Sequence, residues 1–275
     1  MGRILDLIKE RIMLSTCKGW LKASLPDPLI NNLRKFKKKI TTLSSYKFVL
    51  GPLTYNQDGL ATRHNCDFMK DKLFMESYKL GENTGSWRGA RIHWRAFILC
   101  WAANWAKELE GDFVECGVNK GGFSRMIMNY IDFNNIDKSF YLLDTYCGLC
   151  EEYITEEEKK YGIAPGVFEE CYESVIKTFK DFPKVNIIRG AVPGTLPLVK
   201  AEKVCYLSID MNCAEPEIAS AEFFWDKLVS RAIIVLDDYG WQKHFLQKIA
   251  WDDFAKRKNV QVLPLPTGQG LILKP

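Results

Sequence analysis

An α/β fold with a doubly wound, mostly parallel seven-stranded sheet and an antiparallel C-terminal hairpin is predicted by three features of this 275-residue chain. The stretch Gly111–Arg125 reads as a short strand, a glycine-containing turn and a helix, the layout that opens such a sheet. Apolar runs ending in acidic residues recur at Asp144, Asp210 and Asp237-Asp238, as expected of buried parallel strands whose carboxyl ends share one rim. Segments with three- and four-residue apolar spacing separate these runs, as crossover helices do.

The chain is long enough for one large domain with a substantial core, and its 47% apolar and 26% charged residues are ordinary for a globular protein. No run of eighteen apolar residues suggests a membrane span. The N-terminus lacks the pattern of a secretory signal, and Asp6 stands where myristoylation requires Ser or Thr. Nine scattered cysteines fit reduced thiols in a cytoplasmic protein better than a disulfide framework. Cys147 and Cys150 form a lone C-x-x-C, readable as a redox pair but without partners for zinc.

Charge divides the chain in two. Residues 1–50 hold eleven Lys/Arg against three Asp/Glu, and the remaining 225 hold 27 against 31. Residues 1–50 therefore read as a basic amphipathic helical leader, broken at Pro26 and Pro28, ahead of a domain at 51–275. The leader, mainly residues 1–40, suits either peripheral contact with an anionic membrane or a solvated face docked on the domain or on a neighbouring subunit of a homo-oligomer. No nucleic-acid-binding module or stacking platform is visible.

Taken in order, Tyr55–Thr62 is a polar, turn-rich segment, and Asp67 is placed to cap a helix through Phe74-Met75. Trp94, Phe97, Ile98, Trp101, Trp105 and Leu109 give Arg91–Leu109 a helical period leading into the first strand, with its tryptophans expected in the core. The second strand, 139–144, ends at Asp144, and the third spans 185–190, followed by a loop through Pro197 long enough to border a site. Strands at 204–209 and 232–236 follow, with a helix from Glu217 to Leu228 between them. A helix from Trp241 to Lys256 carries His244, and two short strands around Pro266–Gly270 close the chain as a hairpin on the sheet edge.

The turn Glu115-x-Gly117-x-x-x-Gly121-Gly122 departs from the G-x-G-x-x-G of dinucleotide sites. A pyrophosphate prefers bare N–H groups at a helix start, whereas a carboxylate there suits a ligand with a cationic centre. S-adenosylmethionine (SAM) is such a ligand; the alternative is a glycine-rich turn without one. Asp144, 29 positions beyond Glu115, is placed either to accept the two ribose hydroxyls or to cap a helix. Gly117, Asn119, Gly121, Ser124 and Thr145 complete the expected cofactor set. Asp210, Asp237 and Asp238 would converge on the same rim, and close carboxylates call for a hard divalent cation, Mg2+ or Mn2+.

Together, Gly111–Gly122, Leu143-Asp144, Ile209-Asp210 and Leu236–Tyr239 resemble the macrocin O-methyltransferase family over residues 55–275. The resemblance implies a class I, Rossmann-like, SAM-dependent enzyme that methylates a hydroxyl of a sugar or other small natural product. It places the cofactor acids at Glu115 and Asp144 and the metal ligands at Asp210, Asp237 and Asp238. Asp210 is then the first choice of proton acceptor and His244 the second. One departure stands out: where the family has Asp-Gly-Asp, this chain has Asp210-Met211-Asn212. The other readings are a nicotinamide-dependent oxidoreductase, disfavoured by Glu115, and a non-catalytic protein that retains the fold.

Overall fold

The computed structural model describes residues 52–275; the expected leader lies outside them. Strands β1 (Tyr55–Gln57) and β2 (Leu60–Thr62) pair antiparallel about Asp58-Gly59. Both turn residues have positive φ, 51° and 72°, as the tightest hairpins require. The polar segment read from sequence is thus a hairpin. After a 3-10 turn at Asp67–Lys70 comes α1 (Lys72–Glu82). Its cap is Asp71, which accepts from Phe74 N at 2.7 Å; Asp67 stands one turn too early and bonds Asn65 and Lys70 instead.

Helix α2 (His93–Ala106) turns Ala96, Leu99, Cys100, Ala103 and Ala106 to the core. Trp101 and Trp105 lie on the opposite stripe, 47% and 40% exposed, stacked on each other. The core placement expected of them is therefore corrected: small residues, not tryptophans, let α2 lie close to the sheet.

The remaining elements are β3 (Asp112–Cys116), α3 (Gly122–Tyr130), β4 (Phe140–Asp144), α4 (Glu156–Lys160), α5 (Tyr172–Phe179), β5 (Val185–Arg189) and β6 (Val204–Ile209). They are followed by α6 (Ala214–Trp225), β7 (Leu228–Leu236), α7 (Phe245–Lys258), β8 (Leu263–Pro264) and β9 (Gly270–Leu273). Leu228, expected to end a helix, opens β7. The segment after Trp241 begins as a 3-10 turn, Gln242–His244, before α7.

The seven-stranded sheet has the order β5-β4-β3-β6-β7-β9-β8, parallel through β7 and antiparallel at β7–β9 and β9–β8. Side chains alternate between its faces. Phe113, Phe140, Leu142 and Tyr206 pack with Leu99, Met126 and Val175. Val114, Cys116, Leu143 and Ile209 pack on the other face with Phe224, Trp251 and Phe254. The chain leaves β3 towards β4 on one side, while β6 lies on the other. This reversal opens a crevice at the strands' carboxyl ends, where doubly wound sheets bind ligands.

Candidate active site

A cavity of about 460 Å³ fills that crevice. Its floor begins at Gly117, with φ +90°, where a Cβ would sit 1.9 Å from the Asp210 backbone oxygen; only glycine lets the ends of β3 and β6 approach so closely. Asp144 holds the turn that follows. Its Oδ2 accepts from Val118 N and Asn119 N, both at 2.7 Å, and its Oδ1 from Tyr146 N at 2.6 Å. The second acidic strand end thus organises the glycine turn as well as facing the cavity.

Of the expected cofactor residues, Gly117, Asn119, Asp144 and Thr145 line the cavity, and Glu115, Gly121 and Ser124 do not. The alternation of β3 puts Glu115 on the Phe113 face, beneath α3, where it is 1% exposed and accepts the Ser124 hydroxyl. Burial raises its carboxyl well above the ordinary range, with Asp144 and Asp237 adding to the effect. Glu115 is therefore a buried acid beneath the turn, bonded to Ser124, and does not line the cavity. The loop expected to border the site does so through Ala191 and Val192.

Sequence reading missed two lining tryptophans, Trp87 and Trp241, whose buried Nε1 groups have no partner among the described residues. The rings line the cavity, while Nε1 of Trp87 lies against the helix start at Gly122 and Nε1 of Trp241 against Gly268. With the cavity's size, the left-handed glycine turn and the strand-end carboxylate, the residues present fit an adenosyl-amino acid such as SAM.

The same cavity is lined by Asp210, Asp237, Asp238 and His244. Asp237 Oδ2 accepts from Arg95 Nη1 at 2.6 Å, and its Oδ1 from Gln269 Nε2 at 3.1 Å. Arg95 also forks onto Asp58 at the tip of the β1–β2 hairpin, through Nε at 3.1 Å and Nη2 at 3.0 Å. Burial opposes its charge, but Asp237 and Asp58 outweigh that and hold its pKa above the usual value. Asp210 Oδ1 accepts from Asn212 Nδ2 at 3.1 Å, and burial beside Asp237 and Asp238 raises its carboxyl well above the usual range.

Asp238 faces His244, with Oδ2 3.3 Å from Nε2. Behind His244, Trp251 Nε1 and Gln247 Nε2 donate to Glu217 at 2.8 and 2.6 Å. The Gln247 carbonyl is thereby turned to His244 Nδ1, so Nδ1 carries the hydrogen and Nε2 the lone pair. Burial lowers the His244 pKa to about 4 and raises that of Asp238 to about 8, Asp237 adding to the latter. Both shifts disfavour charge on these two side chains.

The three aspartates expected to hold Mg2+ or Mn2+ have protein partners in this structure. Among the described residues no group of three or more His, Cys, Asp or Glu side chains is disposed to hold a metal ion. The acids converge as expected, but Arg95, Asn212 and His244 already partner them. Arg95 and Asp58 carried no motif; their only advance signals were an arginine inside an apolar helix and an Asp-Gly turn. The eight described cysteines are all free, Cys147 exposed and Cys150 partly buried.

Comparison with known proteins agrees with this architecture. The O-methyltransferase NovP superposes with a TM-score of 0.56 at 18% identity, over 66% of this chain and 79% of that one. A calicheamicin methyltransferase gives 0.51 at 13%, over 83% and 99%. A methyltransferase of Podospora anserina bound to SAH, the demethylated product of SAM, gives 0.50 at 12%, over 82% and 100%. At such identities the likeness is one of fold. No curated relative matches the chain by sequence. Nothing in these comparisons favours the nicotinamide or non-catalytic readings. Residues 83–265 match the family model of the macrocin O-methyltransferases, and the chain belongs to that family as a class I, SAM-dependent O-methyltransferase.

Proposed function

We propose that this chain transfers the methyl group of SAM to a hydroxyl oxygen of a sugar or another small natural-product acceptor. The observation that supports the reading is a single cavity lined both by the glycine turn that Asp144 holds and by Asp210, Asp238 and His244. Membership of the macrocin O-methyltransferase family, and the likeness to NovP and to a calicheamicin methyltransferase, favour an acceptor of this class.

When bound, SAM supplies a methyl group on a sulfonium whose sulfur departs with the bonding electrons. The chain's residues do the rest. Beyond its three backbone bonds Asp144 has one acceptor position, now taken by the Thr145 hydroxyl at 3.2 Å and open to exchange for a ribose hydroxyl. The walls of Trp87, Phe168 and Trp241 exclude water from the reacting oxygen. Asp210, in its ionised form, takes the acceptor proton as the new O–CH3 bond forms; the burial that raises its pKa makes it the stronger base for that step, and its Oδ2 accepts from no side chain among the described residues. His244 is the second choice, because its lone pair is turned to Asp238.

Calorimetry with SAM and with NAD tests the cofactor half of this reading. Incubation of labelled SAM with a panel of glycosides, read by mass spectrometry, tests the acceptor half. SAM is expected to bind and at least one glycoside to gain a methyl group. Binding of NAD but not SAM would overturn the reading.

A further inference from the structure

We propose that Arg95 is the resident cation of the acceptor site, standing where a divalent metal is expected, and that this chain's methyl transfer proceeds without one. The proposal rests on the function above and changes its chemistry. Three observations point to it independently.

First, the guanidinium is built in rather than adventitious. It is largely buried, bonds Asp237 from one side and is gripped by both oxygens of Asp58 from the other. Its flat face lies over the Trp241 ring, 5.2 Å from the centroid. Planar bidentate pairing and aromatic stacking are what arginine offers and lysine does not.

Second, a metal would have to break these contacts to reach its ligands. Entry at Asp237 would strand a buried guanidinium, and an uncompensated buried charge is strongly unfavourable. Asp237's other oxygen is already spent on Gln269, which is fully buried.

Third, the remaining ligands are partnered from within the chain. Asn212, at φ +59°, donates its side-chain amide to Asp210 and adds no negative charge. Asp238 faces His244 at 3.3 Å. An amide beside Asp210 and an arginine on Asp237 both reduce the site's demand for an external cation.

Arg95 uses three of its N–H groups on Asp58 and Asp237. A guanidinium has five, so donors remain for the acceptor oxygen. They stabilise negative charge on that oxygen as its proton leaves, a task a metal otherwise performs as a Lewis acid. The balance of the reaction is unchanged. The O–H bond breaks with its proton to Asp210, the O–CH3 bond forms, and the S–CH3 bond breaks with its electron pair to sulfur.

The test is Mn2+ binding by electron paramagnetic resonance, on the full chain with and without SAH. The wild-type protein is expected to bind no stoichiometric Mn2+, and its affinity for SAM to be the same in EDTA and in MgCl2. Arg95→Met, which frees Asp237, is expected to gain Mn2+ affinity by about tenfold or more. One Mn2+ per wild-type chain, lost in Asp237→Asn, would overturn the proposal, as would a folded Arg95→Met that gains none. Should Arg95→Met fail to fold, Arg95→Lys keeps the charge and is expected to stay blind to Mn2+; stoichiometric uptake by it would count against the proposal. Failure of the wild-type protein to bind SAM would instead sink the functional reading.

Discussion

Asp144 offers the sharpest test of how this site is held together. Replacing it with alanine removes the acceptor for three backbone N–H groups, two of them in the glycine turn. A hydrogen bond to a charged group contributes about 1.5–3 kcal/mol when buried. Asp144 is only half-buried and water can reach the freed amides, so about 1 kcal/mol each is a fairer figure. The turn includes Asn119 at φ +51°, a conformation the chain does not hold without support. Rebuilding it on ligand binding, together with the lost ribose acceptor, amounts to about 2–3 kcal/mol. SAM affinity should therefore fall about 30- to 150-fold. Asp144→Asn retains one oxygen and should lose less, about tenfold. Titration calorimetry measures the affinity, and circular dichroism checks that the fold survives. If Asp144→Ala bound SAM within about threefold of wild type, the turn would not depend on Asp144.

Four further outcomes follow from the same geometry. Glu115→Gln should keep a native spectrum and bind SAM within about threefold of wild type, since the side chain is buried beneath α3 against Ser124 and does not line the cavity. Because its folded pKa is raised, Glu115 contributes stability below the ordinary carboxylate range and loses it as pH rises; urea denaturation at acid and alkaline pH should show the variant gaining on wild type only at the higher value. Gly117→Ala should be destabilised by about 2 kcal/mol or more, read as a lowered melting temperature, because its Cβ would meet the Asp210 backbone; an unchanged melting temperature would refute the close approach. Gln247→Leu should leave SAM affinity intact while lowering the turnover number about tenfold, since it frees the His244 tautomer; unchanged turnover would make that network purely structural. Deleting residues 1–50 should leave 51–275 folded and able to bind SAM, and loss of soluble folding would show that the leader belongs to the domain.

Much of this was legible in the chain because it is local. A glycine that must approach a neighbouring backbone, an acid that ends an apolar strand and a three- to four-residue apolar period leave marks within a few positions. Gly117, Asp144, Asp210 and Asp237, the strand sequence and the closing hairpin were read that way, and all lie where the fold brings strand ends together. Tertiary structure decided what those acids meet. Whether Glu115 faces a ligand or the underside of α3 depends on which face of β3 an odd or even position occupies, and the motif alone does not fix that. Trp101 and Trp105 share a helical period with the core yet lie outside it, because periodicity gives a stripe and not its direction. The pairing of Asp237 with Arg95, 142 residues earlier, and of Arg95 with a hairpin tip 37 residues before it, leaves no local mark. Charge counted along the chain gave a cluster of acids that called for a metal. Charge brought together by the fold includes the arginine that answers it.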